Sequence, residues 1–155
     1  MSGLVVSLVF NAALFIVLVL IASYDIRTSK IPDSFNAALL AIAFVGWILD
    51  PGLGLSNRFI ASVIVSGLML LTEIIRPESI GGGDIKMMVA AGLLLGIQNV
   101  LIAALIGICS AGLYAAGLLI VKKASMGEKF AYGPFLCLGV WAAHLFGAEI
   151  VSFLF

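Results

Sequence analysis

Two aspartates carry the chemistry this chain can offer. Asp25 closes the first long apolar run, and Asp84 follows three consecutive glycines, Gly81, Gly82 and Gly83. A carboxylate at mid-bilayer costs about 2.5–3.5 kcal/mol on insertion scales, so an acid kept in such a chain marks a candidate functional site. Two carboxyls held close together do not both ionise easily and share one proton. The ionised member then acts as general base on a water, and the protonated member polarises or protonates the scissile carbonyl. That is peptide hydrolysis without a metal or a covalent intermediate, the chemistry of an aspartyl protease. Glycine permits positive φ and close backbone approach, so the triplet Gly81–Gly83 is expected to let an extended substrate strand lie near Asp84. The plainer alternative is a flexible loop entering a helix, with Asp84 as its acidic N-terminal residue; Asp25 at the same face favours the pair.

The other polar side chains have weaker claims. Asp33 rivals Asp25, but it sits one residue past Pro32, where a capping or first-turn acid is expected. Glu73, late in a helical run, is a lesser intramembrane candidate. His144 is a single histidine on an apolar run, expected to be packed and hydrogen-bonded, because no second His or Cys stands at metal spacing. Arg27, Lys30 and Lys86 are expected as interfacial anchors to anionic lipid. Lys86 could also act on Asp84 if it pointed back toward it, and it is grouped with Gly81, Gly82 and Gly83 as a substrate-side or loop residue. Cys109 and Cys137 lie in apolar runs and read as small packing residues; a CxxC pair is absent, and no metal or cofactor is expected.

The elements that must position the two acids are membrane helices. Of 155 residues, 63% are hydrophobic and 10% charged, with a mean hydropathy of +1.27. A soluble domain is about half apolar and about a quarter charged, so the chain reads as one integral membrane domain over residues 1–155. The formal net charge is zero, which leaves no basic surface for nucleic acid. Met1 to Leu20 holds no Lys or Arg, so the charged region of a signal peptide is missing and a retained first span is expected.

A spanning helix takes about 20 apolar residues. The runs are about Leu4 to Tyr24, Phe35 to Leu49, Phe59 to Ile75, a short one from Ile85 to Ile97, Val100 to Val121, and one from Tyr132 to the C-terminus. Pro32, Asp50-Pro51-Gly52 and Arg76-Pro77-Glu78 punctuate them, and Lys122 to Lys129 forms a polar connection. With six helices, all of the eight basic residues except Arg58 fall on one face, which the positive-inside rule makes cytoplasmic. The expectation is an all-α, six-helix transmembrane bundle in the inner (plasma) membrane, with a short fourth helix after a Gly-rich loop. Both termini lie outside, and Asp25 and Asp84 share the cytoplasmic face. Gly107, Gly112 and Gly117 read as small residues that let helices pack closely.

Several motifs, in order, carry a family resemblance: Tyr24-Asp25-Ile26-Arg27, Ile31-Pro32-Asp33, Gly81-Gly82-Gly83-Asp84-Ile85-Lys86, Ala90-Ala91-Gly92 with Leu95-Gly96, and Tyr132-Gly133-Pro134-Phe135. Together they resemble the type IV prepilin peptidases, GxGD-type intramembrane aspartyl proteases, over nearly the whole chain. The resemblance implies a six-helix bundle, catalytic aspartates at Asp25 and Asp84, and cleavage of basic prepilin leaders ending in glycine, with a prepilin substrate and pilus assembly machinery as partners. Long family members carry an added N-terminal portion with a cysteine-rich loop linked to N-methylation. Here Met1 leads straight into the first span, as in short peptidase-only forms such as those of tight-adherence (Flp-type) pili, and no methyltransferase activity is expected. The alternatives are an archaeal preflagellin-type peptidase, a degenerate assembly partner, or a small ion- or proton-coupled transporter, which would want its acids deep in mid-span.

Overall fold

The computed structural model describes residues 2–77, 79–121 and 131–154. The connection Lys122–Lys129, with its three lysines, and Glu78 lie outside the described residues. Five helices follow in order: α1 (Ser2–Thr28), α2 (Asp33–Leu49), α3 (Leu55–Ile75), α4 (Gly82–Ile120) and α5 (Gly133–Leu154). Four of these are long and apolar enough to cross a membrane; α2 is a shorter apolar helix. Large apolar side chains such as Leu4, Val9, Val63 and Leu113 face outward. Lipid tolerates such a surface where water would not, and the chain is a multi-pass, all-α membrane bundle.

The helix ends follow from local chemistry. The last turn of α1 closes with the Ser29 N–H donating to the Asp25 carbonyl at 2.7 Å, and Ser29 then takes φ 50°. Pro32, in extended conformation (ψ 146°), precedes the first turn of α2. Asp50 ends α2 at φ −129°, ψ 81°, because the residue before a proline is pushed out of the helical region.

The six separate helices expected from hydropathy are corrected to five. The segments expected at Ile85–Ile97 and Val100–Val121 join within α4, which has 39 residues. At 1.5 Å per residue a straight rod of that length would measure about 58 Å, nearly twice a bilayer core of about 30 Å. The element is not straight. Gly96 takes φ 73°, ψ 178° in its interior, a region open to glycine and costly for other residues. Breaking a helix frees carbonyls on one side and N–H groups on the other, and α3 supplies the partners. Arg58 Nη1 donates to the carbonyls of Leu93 and Leu94 at 2.9 and 2.7 Å, and its Nη2 donates to the Asp50 carbonyl at 2.8 Å. The Ile97 N–H donates to Asn57 Oδ1 at 2.9 Å. Arg58, the one basic residue expected on the far face, is thus a buried helix cap, 2% exposed. Beyond Gly96 the chain runs alongside α5, with Asn99 against Gly147 and Gly107 against Leu136. It thereby leads back toward the end of the bundle that holds Gly83 and Gly133.

The core gathers one stripe from each helix. On α1 it is Leu14, Leu18 and Ile21; on α4, Met87, Met88, Ala91 and Leu95; on α5, Leu136, Val140 and Ala143. Intervals of three and four residues put side chains on one helical face. The α1 stripe extends by one more step of four to Asp25, and the α4 stripe begins three residues earlier at Asp84. Both acids are therefore carried inward by the helix register that buries the core.

Candidate active site

Asp25 is 4% exposed and Asp84 is 6% exposed. The two carboxylates lie within electrostatic reach of one another. The start of α5 comes up against both. The Gly133 N–H donates to Asp25 Oδ2 at 2.9 Å, and the Tyr132 phenol lies within electrostatic reach of Asp84. One turn further on, Cys137 is near both acids and packs its Sγ against Met87 Sδ at 3.7 Å. Ile31, from the connection between α1 and α2, fills the space between the helices: Cβ atoms built on Gly83 and Gly133 would meet it at 2.8 and 3.2 Å.

Polar satisfaction at the pair is unequal. Asp25 receives the Gly133 N–H, a charge-assisted bond of the stronger kind. Asp84 leans back toward the Gly81 N–H, as an acid in the first turn of a helix does, while its Oδ1 is buried without a hydrogen-bond partner. A buried orphan acceptor costs about 1–3 kcal/mol and calls for an explanation. Outside the spans, burial foremost, and then the charge of Asp84, push the Tyr132 phenol up to about 12. It keeps its proton at any ordinary pH. Among the described residues no three His, Cys, Asp or Glu side chains gather as a metal site would need.

The glycine triplet works differently from the expected loop. Gly81 is the residue preceding α4, and Gly82 and Gly83 are already helical. Among the described residues Gly96 alone of the glycines has positive φ, so the triplet's service is close approach. A Cβ on Gly81 would meet Asp84 Oδ2 at 2.9 Å, and one on Gly83 would meet Ile31, whereas Gly82 has nothing within 4 Å. Lys86 does not point back to Asp84. Two residues along a helix turn it well away, and its Nζ pairs with Asp33 Oδ1 at 2.6 Å, both side chains being largely exposed. Asp33, the rival aspartate, sits in the first turn of α2 and outside the buried pair. Glu73 Oε2 accepts the Ile80 N–H at 2.8 Å and the Ser79 hydroxyl at 3.3 Å, holding the connection that leads into Gly81. His144 Nε2 and Asn11 Oδ1 are 2.7 Å apart, beside a cavity of about 840 Å³ also lined by Arg58 and Asn99. That cavity lies at the other end of the bundle from the carboxylates.

Sequence reasoning missed Asn36, whose Nδ2 donates to the Gly83 carbonyl at 3.2 Å. It also gave Tyr132 and Gly133 no part at the pair. The signal for the latter was the Tyr-Gly-Pro start of the last run, a helix opening at the face already assigned to the aspartates.

A model of the type IV leader peptidase family matches residues 12–116, a stretch that includes both aspartates. The chain belongs to this family. It is similar to a prepilin leader peptidase/N-methyltransferase of Bacillus subtilis, 26% identical over an alignment of 149 positions that covers 93% of this chain and 58% of the relative. Proteins of the same description from Aeromonas salmonicida and Aeromonas hydrophila are each 26% identical over an alignment of 141 positions that covers 86% of this chain and 48% of theirs. The chain thus spans about half the length of these relatives. No solved structure matches it.

Proposed function

We propose that this leader peptidase family member is an aspartic endopeptidase that removes the basic leader of a type IV or Flp-type prepilin. The observation that carries the reading is the buried pair itself: Asp25 held by the Gly133 N–H, with Asp84 beside it presenting an unpartnered Oδ1. In this reading Asp25, whose charge the Gly133 N–H supports, acts as general base on a water. Asp84 carries the shared proton and donates it to the oxygen of the scissile carbonyl; as the tetrahedral intermediate collapses, Asp25 passes the water's proton to the departing amine and Asp84 recovers its own from the hydroxyl. Gly81, Gly83 and Ile31 set how closely the two helix ends approach. Family membership and the names of the relatives support a prepilin substrate, and the resemblance of the motifs supports a leader that ends in glycine.

We read the two parts of α4, residues 82–95 and 97–120, as separate passes. Six passes then place both termini on one side of the membrane and the aspartates on the other. The basic residues Arg27, Lys30, Arg76 and Lys86 gather at the aspartate end, which supports a cytoplasmic assignment for that end. Cleavage without N-methylation belongs to the same reading, as does a single domain over residues 1–155. Ion-coupled transport is less well supported, since both acids sit at helix ends rather than in mid-span.

The test is co-expression with a prepilin whose leader is basic and glycine-terminated, followed by N-terminal sequencing of the product. A new N-terminus directly after the glycine is expected. An uncut prepilin, in the presence of well-folded protein, would refute the assignment.

A further inference from the structure

The Tyr132-Gly133 dipeptide binds one half of the carboxylate pair and brings a phenol within electrostatic reach of the other. Its backbone N–H at Gly133 holds Asp25, and its phenol stands near Asp84. When water adds to the carbonyl carbon, the carbonyl oxygen gains charge, and a second donor beside the acid of the pair stabilises it further. Asp84 supplies one donor to that oxygen; Asp25, as base, and the Gly133 N–H, already bonded to Asp25, leave its second lone pair unserved. Tyr132 also forms one wall of an apolar cavity of about 310 Å³ between α3, α4 and α5, shared with Ile80, Met69 and Ile108. Ile80 leads into the Gly81 turn and Tyr132 into Gly133, so two walls of the cavity are next in sequence to residues that meet Asp84 and Asp25. A peptide with an apolar side chain in that cavity would present its backbone to the phenol and the acids together.

We propose that Tyr132 is a further catalytic residue, its O–H donating a hydrogen bond to the oxygen of the scissile carbonyl while Asp25 and Asp84 handle the proton and the water. The proposal rests on the reading of Asp25 and Asp84 as the catalytic pair. The phenol transfers no proton: water adds to the carbonyl carbon, Asp25 takes the water's proton, and the Tyr132 O–H bond stays intact throughout. A phenol held up to about 12 remains a donor across the working range of the enzyme. Proline follows at Pro134, and with the Gly133 bond it fixes the backbone that carries the phenol.

The experiment is a kinetic comparison of full-length wild type, Tyr132→Phe and Asp84→Asn, reconstituted in lipid with a prepilin substrate. Tyr132→Phe keeps the ring against the cavity and loses only the hydroxyl. It is expected to lower kcat roughly 100-fold, as loss of one such donor does, with KM and melting temperature unchanged. A kcat within twofold of wild type would overturn the proposal, as would a loss that appears in KM alone. Should Tyr132→Phe fold poorly, 3,5-difluorotyrosine at position 132 serves instead, since it brings the phenol's ionisation down toward neutral pH. The alkaline fall in activity, which in wild type reports loss of the proton shared by Asp25 and Asp84, should then begin at lower pH; superimposable profiles would overturn the proposal. Asp84→Asn separates the two claims: if it retains activity, the reading of the carboxylate pair itself fails, whatever Tyr132 does.

Discussion

Alanine at Gly133 offers a sharp perturbation, because the structure fixes both what it would strike and what it would spare. A Cβ there would lie 2.7 Å from Asp25 Oδ2, 3.1 Å from its Cγ and 3.2 Å from Ile31 Cδ1. The first of these is closer than real Cβ atoms come, so something must move. The easiest thing to move is the carboxylate, the end of a side chain that can rotate. The displacement breaks the 2.9 Å bond from the Gly133 N–H, a bond to a charged acceptor contributing about 1.5–3 kcal/mol. It also shifts Asp25 by a sizeable fraction of an ångström relative to Asp84, and a misplacement of about 1 Å costs on the order of 100-fold in rate. The α5 backbone need not shift, so Gly133→Ala should insert and fold, its stability lowered by no more than the about 1.5–3 kcal/mol of that bond, while kcat for leader cleavage drops by about two orders of magnitude. Gly82→Ala is the matched control. It lies in the conspicuous triplet, yet its Cβ meets nothing within 4 Å, and alanine suits a helix better by roughly 0.5–1 kcal/mol. Wild-type cleavage and equal or higher stability are expected. The assay is initial-rate prepilin cleavage with a parallel thermal melt in detergent. Full activity in Gly133→Ala, or equal damage from both substitutions, would refute the steric argument.

The remaining predictions concern the supports. Arg58→Met leaves the carbonyls of Leu93, Leu94 and Asp50 without their donor; it should lower unfolding stability by at least about 3 kcal/mol, and Arg58→Lys should recover only part because one ammonium cannot span all three. A chemical-denaturation series in micelles reads both. Asp33→Asn and Lys86→Met each break the exposed ion pair, a contact of at most about 1 kcal/mol, and cleavage rates within about threefold of wild type are expected; loss of activity in Asp33→Asn would point to the wrong aspartate.

Hydropathy located most of the fold. The runs at Leu4–Tyr24, Phe35–Leu49 and Phe59–Ile75 fall within α1, α2 and α3, and the last run begins next to α5. Excluded water sets these limits, and it acts on composition alone. What composition could not express is which face of a uniformly apolar helix turns inward. In α1 nearly every residue is apolar, so the buried set Leu14, Leu18 and Ile21 is no more hydrophobic than the lipid-facing set Phe15, Ile16 and Val19. The stripe that carries Asp25 inward therefore left no amphipathic signal, and the choice of Asp25 over Asp33 came from position in the run and from the resemblance. The join in α4 was hidden for another reason. Its stability comes from Asn57 and Arg58, some 40 residues earlier in sequence, and a single glycine replaces the loop that a change of direction normally needs. Arg58, expected on the far face, serves those freed carbonyls. The sequence presents the glycine triplet as a Gly-rich turn that leaves room for a substrate strand beside Asp84; the close fit of Gly83 on Ile31 depends on a packing partner that the sequence does not place beside it.

The central claim is that Asp25 and Asp84 together make one hydrolytic centre. Its most direct test is single-turnover prepilin cleavage by the reconstituted protein with Asp25→Asn, Asp84→Asn and the double substitution, each verified as folded by its melt. Residues acting as one unit lose their effect together, so each single variant should be inactive and the double variant no worse than either. Measurable cleavage by a folded Asp25→Asn or Asp84→Asn protein would contradict the account.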